Sequence, residues 1–275
     1  MKVYYQAESV AGKIRQNNQD NFYVNGYLKS KDDAEATFSG LSEEACQLFA
    51  VCDGMGGEED GETAAFLALD HLRHYDKEDF KNNWKDYIER ANQIICQYQD
   101  EHNIRMGTTF AGVSVSLSGV LAVNVGDSRI YRIRKNRIWQ ISRDHNQYQA
   151  MTEAGIKADK ETMKRAKNRL TQCLGISEER VRLQPHVVYA GPAESGDVYL
   201  ICSDGLYGAL SEQQIIRSVS KVTEGKEGVA EELVKSAEKY GSRDNITAVV
   251  AYIMEMESSL TIKQRILRKF FGKKY

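Results

Sequence analysis

The sequence predicts an α+β fold carried by antiparallel sheets. Three observations lead there. Short apolar or alternating runs recur along the chain and fold back on one another through turn residues, as hairpins do. The helical periodicities stand in groups and do not alternate with strands, which argues against a βαβ fold. No Pro/Ser-rich linker interrupts the 275 residues, and Pro185 and Pro192 are the only prolines, so one compact domain is expected.

The elements follow in order. Val3 to Glu8 and Asn21 to Val24 read as strands. Between them lies Gly12-Lys13-Ile14-Arg15-Gln16-Asn17-Asn18-Gln19-Asp20, either a solvated loop or an arginine poised near a carboxylate. Lys29 to Ser42 is polar and reads as a loop or hairpin tip. Gln47 to Cys52 is a buried strand that stops at Asp53-Gly54-Met55-Gly56-Gly57. Ala65, Phe66, Leu69 and Leu72 fall at helical spacing, so 62–74 is a helix. Trp84, Ile88, Ala91, Ile95 and Tyr98 make a second stripe that must face a core. The period then changes to two at Ala111, Val113, Val115 and Leu117, and Val120 to Val125 returns after a turn at Ser118-Gly119. Ile130 to Arg134 and Arg137 to Ile141, joined by Lys135-Asn136, form a further hairpin.

The stretch from Asp144 to Gly175 is charged and poor in aliphatics, helical in patches over 147–155 and 161–169, and reads as an insertion over the surface. Strands resume at Val187 to Tyr189 and Val198 to Cys202. Ser211 caps a helix carrying Ile215, Ile216 and Val219, Val229 to Tyr240 is another helix, and Ile246 to Ile253 is the last strand. A basic tail closes the chain, with Lys263, Arg265, Arg268, Lys269, Lys273 and Lys274 among Ile262, Ile266, Leu267, Phe270 and Phe271. Its plain reading is a solvated, frayed end; its functional reading is an amphipathic helix on an anionic membrane or in a partner's groove.

Bulk properties exclude several classes. A net charge of −2 offers no field for nucleic acid. Five cysteines without a C-x-x-C pair suit reduced core residues of a cytoplasmic protein. No secretory signal and no apolar run of membrane-spanning length is present, so a cytoplasmic chain, peripheral to a membrane at most, is expected.

The chemistry is carried by aspartates at strand ends. Asp53 ends an apolar run and precedes glycine, Asp127 ends one and follows glycine, Asp204 ends one and precedes glycine, and Asp20 and Asp244 sit just ahead of strands. Taken singly, Asp-Gly is a common turn dipeptide. A P-loop is excluded, because no Gly-Lys-Ser/Thr follows the glycines. Carboxylates gathered from distant parts of a chain repel one another unless a cation joins them. An all-oxygen set suits Mg²⁺ or Mn²⁺ and not zinc. Two such ions make water nucleophilic toward a phosphoryl group, and Arg15 is suited to clamp that phosphate.

Gly12-x-x-Arg15-x-x-Asn18-x-Asp20, Val51-Cys52-Asp53-Gly54-Met55-Gly56-Gly57, Gly107-Thr108-Thr109, Val125-Gly126-Asp127-Ser128-Arg129, Asp144-His145, Cys202-Ser203-Asp204-Gly205-Leu206 and Asp244-Asn245-Ile246-Thr247 occur in this order. Together they resemble the motifs of the metal-dependent PPM-type (protein phosphatase 2C) serine/threonine phosphatases in their bacterial form, from about Val3 to Ile253. The resemblance implies a central sandwich of two antiparallel β-sheets flanked by helices (four-layer α-β-β-α), with the flap insertion at about 145–175 in a domain of residues 1–255, and the tail at 256–275. It implies that Asp53 bridges two core ions, Mn²⁺ or Mg²⁺, one of them also bound by the Gly54 carbonyl. Asp204 and Asp244 complete the other site, Asp20 acts through bound water, and Asp127 with Asp204 holds a third, weaker ion. Asp53, Asp20 and Arg15 are the expected catalytic residues, with Arg15 on the substrate phosphate. The expected substrates are phosphoproteins opposed to a serine/threonine kinase, and the chain is expected to be a monomer. Two departures stand out: Gln19 where many relatives have glutamate, and Met55 where eukaryotic members have histidine. A non-catalytic phosphoprotein binder and a small-molecule phosphatase remain the alternatives. His145 reads as structural.

Overall fold

A computed structural model of the chain describes residues 1–56, 60–177, 179, 181–225 and 227–256. The expected contact of the tail with membrane or partner falls on 257–275, outside the described residues, as does Gly57. In chain order the elements are β1 Lys2–Val10, β2 Asp20–Val24, β3 Tyr27–Leu28, β4 Glu35–Ser42, β5 Cys46–Gly56, α1 Gly61–Leu72, α2 Phe80–His102, β6 Met106–Thr108, β7 Phe110–Ser116, β8 Gly119–Val125, β9 Arg129–Arg134 and β10 Arg137–Gln140. There follow α3 Gln147–Glu153, α4 Lys160–Lys167, β11 His186–Ala190, β12 Val198–Cys202, α5 Asp204–Tyr207, α6 Glu212–Thr223, α7 Val229–Lys239 and β13 Ile246–Glu255. Among the described residues no helix is long and apolar enough to cross a membrane.

One sheet runs β10-β9-β12-β13-β1-β4, the other β11-β8-β7-β5-β2-β3, with β6 pairing β5. All the pairings are antiparallel. Strand parity explains the layering. Phe49 and Val51 of β5 join Val3, Tyr5, Tyr199, Ile201, Val249 and Ala251 between the two sheets. Leu48, Ala50 and Cys52, on the opposite face of β5, pack under Ala65, Leu69, Ile88 and Ile95 of α1 and α2. On the far side Leu200, Cys202 and Val250 meet Ile215, Val219, Leu233 and Val234 of α6 and α7. Each fully buried Leu, Ile or Phe contributes about 1.5–3 kcal/mol of transfer free energy, so these three seams drive the four-layer α-β-β-α sandwich that the family resemblance implies.

Two expectations need correction. The 29–42 stretch is not simply a loop, because Glu35–Ser42 pairs with β1 as an edge strand. Its alternation is exposed against half-buried, and only Ala36 and Phe38 of the half-buried face are apolar, too short a pattern to be recognised as a strand. Lys29, read as the start of that loop, is 0% exposed, with its ammonium donating to the carbonyls of Asp33 (2.8 Å) and Ser30 (3.4 Å). The short elements β3, β6 and α5 also escape periodicity, being two to four residues long. The β9–β10 turn behaves as expected: Lys135 and Asn136 take φ of 51° and 59°, the left-handed pair that a tight hairpin requires. Ser211 closes a capping box with Gln214 at the start of α6.

Candidate metal centre

The site grows out of the same parity. Along β5 the residues facing the opposite sheet are Phe49, Val51 and then Asp53; along β2 they are Val24, Phe22 and then Asp20. Asp20 and Asp53 are direct cross-strand partners, so their side chains share a face at one end of the sandwich. The facing sheet makes the same change of character. Tyr199 and Ile201 lead to Ser203, Ala251 and Val249 lead to Thr247, and Tyr5 and Ala7 lead to Ser9. The apolar seam thus turns polar at one end on both sheets.

Short bonds stitch that end together. Ser203 donates its hydroxyl to Asp20 Oδ2 at 2.6 Å and receives the Thr247 amide at 3.0 Å. Ser9 and Thr247 share a 2.7 Å hydroxyl bond, and Asn18 donates to Ser9 at 2.9 Å. Asp53 has its amide bonded to Thr109 Oγ1 and its carbonyl bonded by Thr108 Oγ1 and the Thr109 amide. Asn245 receives the Gln19 amide at 2.9 Å and donates to the carbonyls of Ala11 and Asn17, which fastens the Arg15 loop to the start of β13.

Two glycines are required by close approach. A Cβ on Gly54 would stand 2.0 Å from the Gly61 carbonyl oxygen and 2.6 Å from that of Gln19. A Cβ on Gly205 would stand 2.0 Å from the Asn245 carbonyl oxygen, so only glycine lets the start of α5 lie against the start of β13 and brings Asp204 beside Asp244.

The electrostatics show the gathering of acids. Asp20 is 1% exposed, and its Oδ1 has no hydrogen-bond partner. Burial, opposed by the Ser203 and Thr247 hydroxyls and reinforced by Asp204 and Asp244, pushes its carboxyl up to about 7. Asp53 is raised well above the usual carboxylate range by desolvation and then by Asp20, Asp204, Asp127 and Asp244. Burial and the charge of Asp204 and Asp144 raise Asp127 to about 7. Burial and Asp244 raise Asp204 to about 6 against the pull of Arg15. Five aspartates from five separate segments therefore lie within electrostatic reach of one another. As they stand, no three acidic, histidine or cysteine side chains among the described residues are close enough to encircle one ion by themselves.

Arg15 reaches the same place. Its Nη2 donates to Asp244 Oδ2 at 2.8 Å with both side chains about half exposed, and the charges of Asp204 and Asp53 add to the rise in its pKa. Arg129 closes the Asp127 side: it clamps Asp144 through Nε and Nη2, lies 3.8 Å over the Tyr207 ring, and Tyr207 donates to the Asp127 carbonyl at 3.0 Å. Gln19 offers an amide to Glu62 Oε2 at 3.4 Å. His145 is structural, as its neighbours require: its Nδ1 accepts the Gly126 amide at 3.2 Å, and burial, then Arg143, holds it down at about 4, in its neutral form. Its backbone also ties the flap, through bonds to Gly126 and Thr171.

The residues present fit hard divalent cations. Every side chain in the cluster offers oxygen, Asp20 Oδ1 is dry and unsatisfied, and the Gly54 backbone sits in a cradle that a Cβ would fill. Sequence reasoning gave Ser203, Thr247, Ser9 and Asn245 no role of their own. The signal for the first three was available, since each continues the inward parity of an apolar strand at the same end as an aspartate.

Comparison with known proteins identifies the family. The family model for protein phosphatase 2C matches residues 14–246. The chain is 30% identical to the serine/threonine phosphatase stp of Listeria welshimeri over 253 residues, which cover 87% of this chain and 91% of that protein. It is likewise 30% identical to the protein phosphatase PhpP of Streptococcus pneumoniae, over 90% of this chain and 96% of that one. The crystal structure of the catalytic domain of the serine/threonine phosphatase PstP in complex with two manganese ions superposes with a TM-score of 0.72 at 26% identity, covering 93% of this chain and all of that one.

Proposed function

Because the chain belongs to the protein phosphatase 2C family, we propose that it hydrolyses phosphoserine and phosphothreonine in proteins with divalent ions held by its aspartates. The observation that carries the reading is the Asp20–Asp53 pair, side by side on one face at the end of a closed core, with three further carboxylates raising the pKa of Asp53. Asp53, the Gly54 carbonyl, Asp204 and Asp244 would hold two core ions, Mn²⁺ or Mg²⁺, with Asp20 acting through bound water and Asp127 with Asp204 offering a third place. When bound, such ions supply charge neutralisation for phosphoryl oxygens and water made nucleophilic near neutral pH, and attack by a water shared between two ions is the reaction we infer.

The rest is the work of side chains. Arg15 has a planar fork suited to two phosphate oxygens, and the partner it has here, Asp244, is itself one of the inferred ion ligands. Asp20 keeps Oδ1 free of any side-chain partner while Ser203 fixes Oδ2, which leaves that oxygen to accept a hydrogen bond from bound water. Met55 offers no proton to a leaving oxygen, and His145 Nδ1 is committed to Gly126. Residues 1–255 would form the catalytic domain with its flap at about 145–175, acting as a monomer on phosphoproteins of a serine/threonine kinase in the cytoplasm.

The test is hydrolysis of phosphoserine and phosphothreonine peptides by the full chain with and without Mn²⁺. Turnover that requires the ion and disappears on chelation is expected. Strong preference for sugar or nucleotide phosphates over phosphopeptides would point to a small-molecule phosphatase. Tight phosphopeptide binding without turnover would point to a non-catalytic relative.

A further inference from the structure

Of the five cysteines, three are sealed in the core. Cys46, Cys52 and Cys202 are 5%, 0% and 0% exposed; Cys52 lies under α1 and α2, and Cys202 under α5 to α7. Cys96 and Cys173 differ. Both are only partly buried, and neither is in a disulfide. They belong to two segments that run against each other: Cys96 lies on α2, and Cys173 lies at the end of the flap, where it returns to the sandwich.

The helix face settles their orientation. Asn92 and Gln99 flank Cys96 at one turn before and one turn after, on the same side of α2. Asn92 Oδ1 accepts the amides of Gly175 (2.8 Å) and Ile176 (3.2 Å), and its Nδ2 donates to the Ile176 carbonyl at 3.0 Å. Gln99 Nε2 donates to the Gly175 carbonyl at 2.7 Å. Cys96 therefore sits between two side chains that grip Gly175 and Ile176, just beyond Cys173 in the chain. From the other side, Leu174 is anchored to Thr108 by paired backbone bonds of 3.1 and 2.9 Å, and the Cys173 sulfur lies 3.4 Å from where a Cβ on Gly107 would be. A cavity of about 620 Å³ opens over Cys173, Met55, Gly56 and Arg105, and a smaller one of about 180 Å³ opens over Cys96; both share Gln99, Asp100, Arg105 and Gly175 as walls.

We infer that Cys96 and Cys173 are an oxidation site, closed by hydroperoxides into a disulfide that ties the end of the flap to α2. The first step oxidises one thiol: Cys96–SH with ROOH gives Cys96–SOH and ROH. The second condenses it: Cys96–SOH with HS–Cys173 gives the S–S bond and water. Burial, and after it the neighbouring Cys96 thiol, pushes Cys173 up to about 11, and the same two steps balance with the two sulfurs exchanged. Both segments are already bonded to each other around the pair through Asn92 and Gln99.

The inference does not depend on the phosphatase reading, and neither do its readouts. Full-length protein is treated with hydrogen peroxide, quenched by alkylation under denaturing conditions and digested. The expected result is a cross-linked peptide pair joining Cys96 and Cys173, a loss of two hydrogens in the intact mass, and reversal by dithiothreitol. The melting temperature should rise by about 5–10 °C, because the bridge closes a long loop of the unfolded chain. Cys96→Ser and Cys173→Ser should each abolish the cross-link, and alanine at either position repeats the test if serine disturbs folding. Oxidation that ends in separate sulfinic acids, in pairing with Cys46, Cys52 or Cys202, or in links between molecules overturns the inference.

Discussion

Asp197 and Asp20 are almost equally dry, at 0% and 1% exposed, but their surroundings are opposite in kind. Asp197, just ahead of β12, meets two guanidinium groups from β9: Arg132 Nη2 at 2.9 Å and Arg134, which reaches it through Nη2 at 2.7 Å and through Nε. The Glu194 amide fills a further lone pair at 2.9 Å. Nothing more is asked of that carboxylate, and it fixes the turn into the strand. Asp20 has the Ser203 hydroxyl on Oδ2, no bond on Oδ1, the Thr247 hydroxyl and the carboxylates of Asp204 and Asp244 for neighbours, and within charge range a Lys29 ammonium already committed to the carbonyls of Asp33 and Ser30. A buried charge of the first kind is closed within the fold; one of the second kind is completed only by a proton or a cation from outside. Counting acids would not tell them apart, whereas the partner of each oxygen does.

The largest expected effect comes from the open cluster. Asp53→Asn should lower kcat/KM on a phosphopeptide with Mn²⁺ by roughly 100- to 1000-fold, the scale of removing one preorganised charge-stabilising group. The metal-free melting temperature should hold or rise, because a repulsive carboxylate is gone. If that variant instead unfolded, Asp53 would be a structural ion like Asp197 and the contrast would fail.

Asp197→Asn should do the reverse. It leaves Arg132 and Arg134 facing a neutral amide, at a cost of about 3 kcal/mol in urea unfolding, with turnover per folded molecule unchanged.

A third effect separates the regions by pH. Asp20 and Asp127 are raised to about 7 and Asp204 to about 6 in the folded chain, from an ordinary 3.8. For an acid raised on folding, the native state holds extra protons between the two values. The stabilisation is full below about pH 4 and is lost as pH rises through 6 to 7. The contribution of this cluster should therefore lower the metal-free melting temperature between pH 5 and pH 8, and Mn²⁺ should flatten that slope by replacing the protons. Calorimetry across that range, with and without the ion, measures it. A metal-free curve that climbs throughout would mean that Arg15 and Lys29 outweigh the repulsion among the acids.

The smallest effect is at Gln19, whose amide faces Glu62. Gln19→Glu should tighten Mn²⁺ binding by up to tenfold in titration calorimetry and lower metal-free stability by about 1 kcal/mol, since two carboxylates then face each other at the edge of the cluster. Tighter ion binding with no loss of metal-free stability would place Glu62 out of reach.

Much of this was legible in the chain. The apolar strands leading to Asp53, Asp127 and Asp204, the two amphipathic helices, the Lys135-Asn136 hairpin and the capping box at Ser211 all follow from short-range rules of period, propensity and turn chemistry, although the strand expected to stop at Asp53 continues to Gly56 because β6 pairs with it there. The edge strand Glu35–Ser42 was not legible, because a strand covered on one face by a single layer carries no strong apolar alternation. Lys29 was not legible either, since a lysine in a polar stretch reads as solvated until tertiary packing encloses it.

By itself the sequence determined which residues stand at strand ends, because alternation and glycine placement are properties of neighbours along the chain. Only the tertiary structure decided which carboxylates share a space, that Ser203 reaches Asp20 across 183 positions, that Arg15 reaches Asp244 across 229, and that Asp197 is answered by arginines while Asp20 is not. Those outcomes depend on how two sheets register face to face, and that register is set by the summed packing of the core between them.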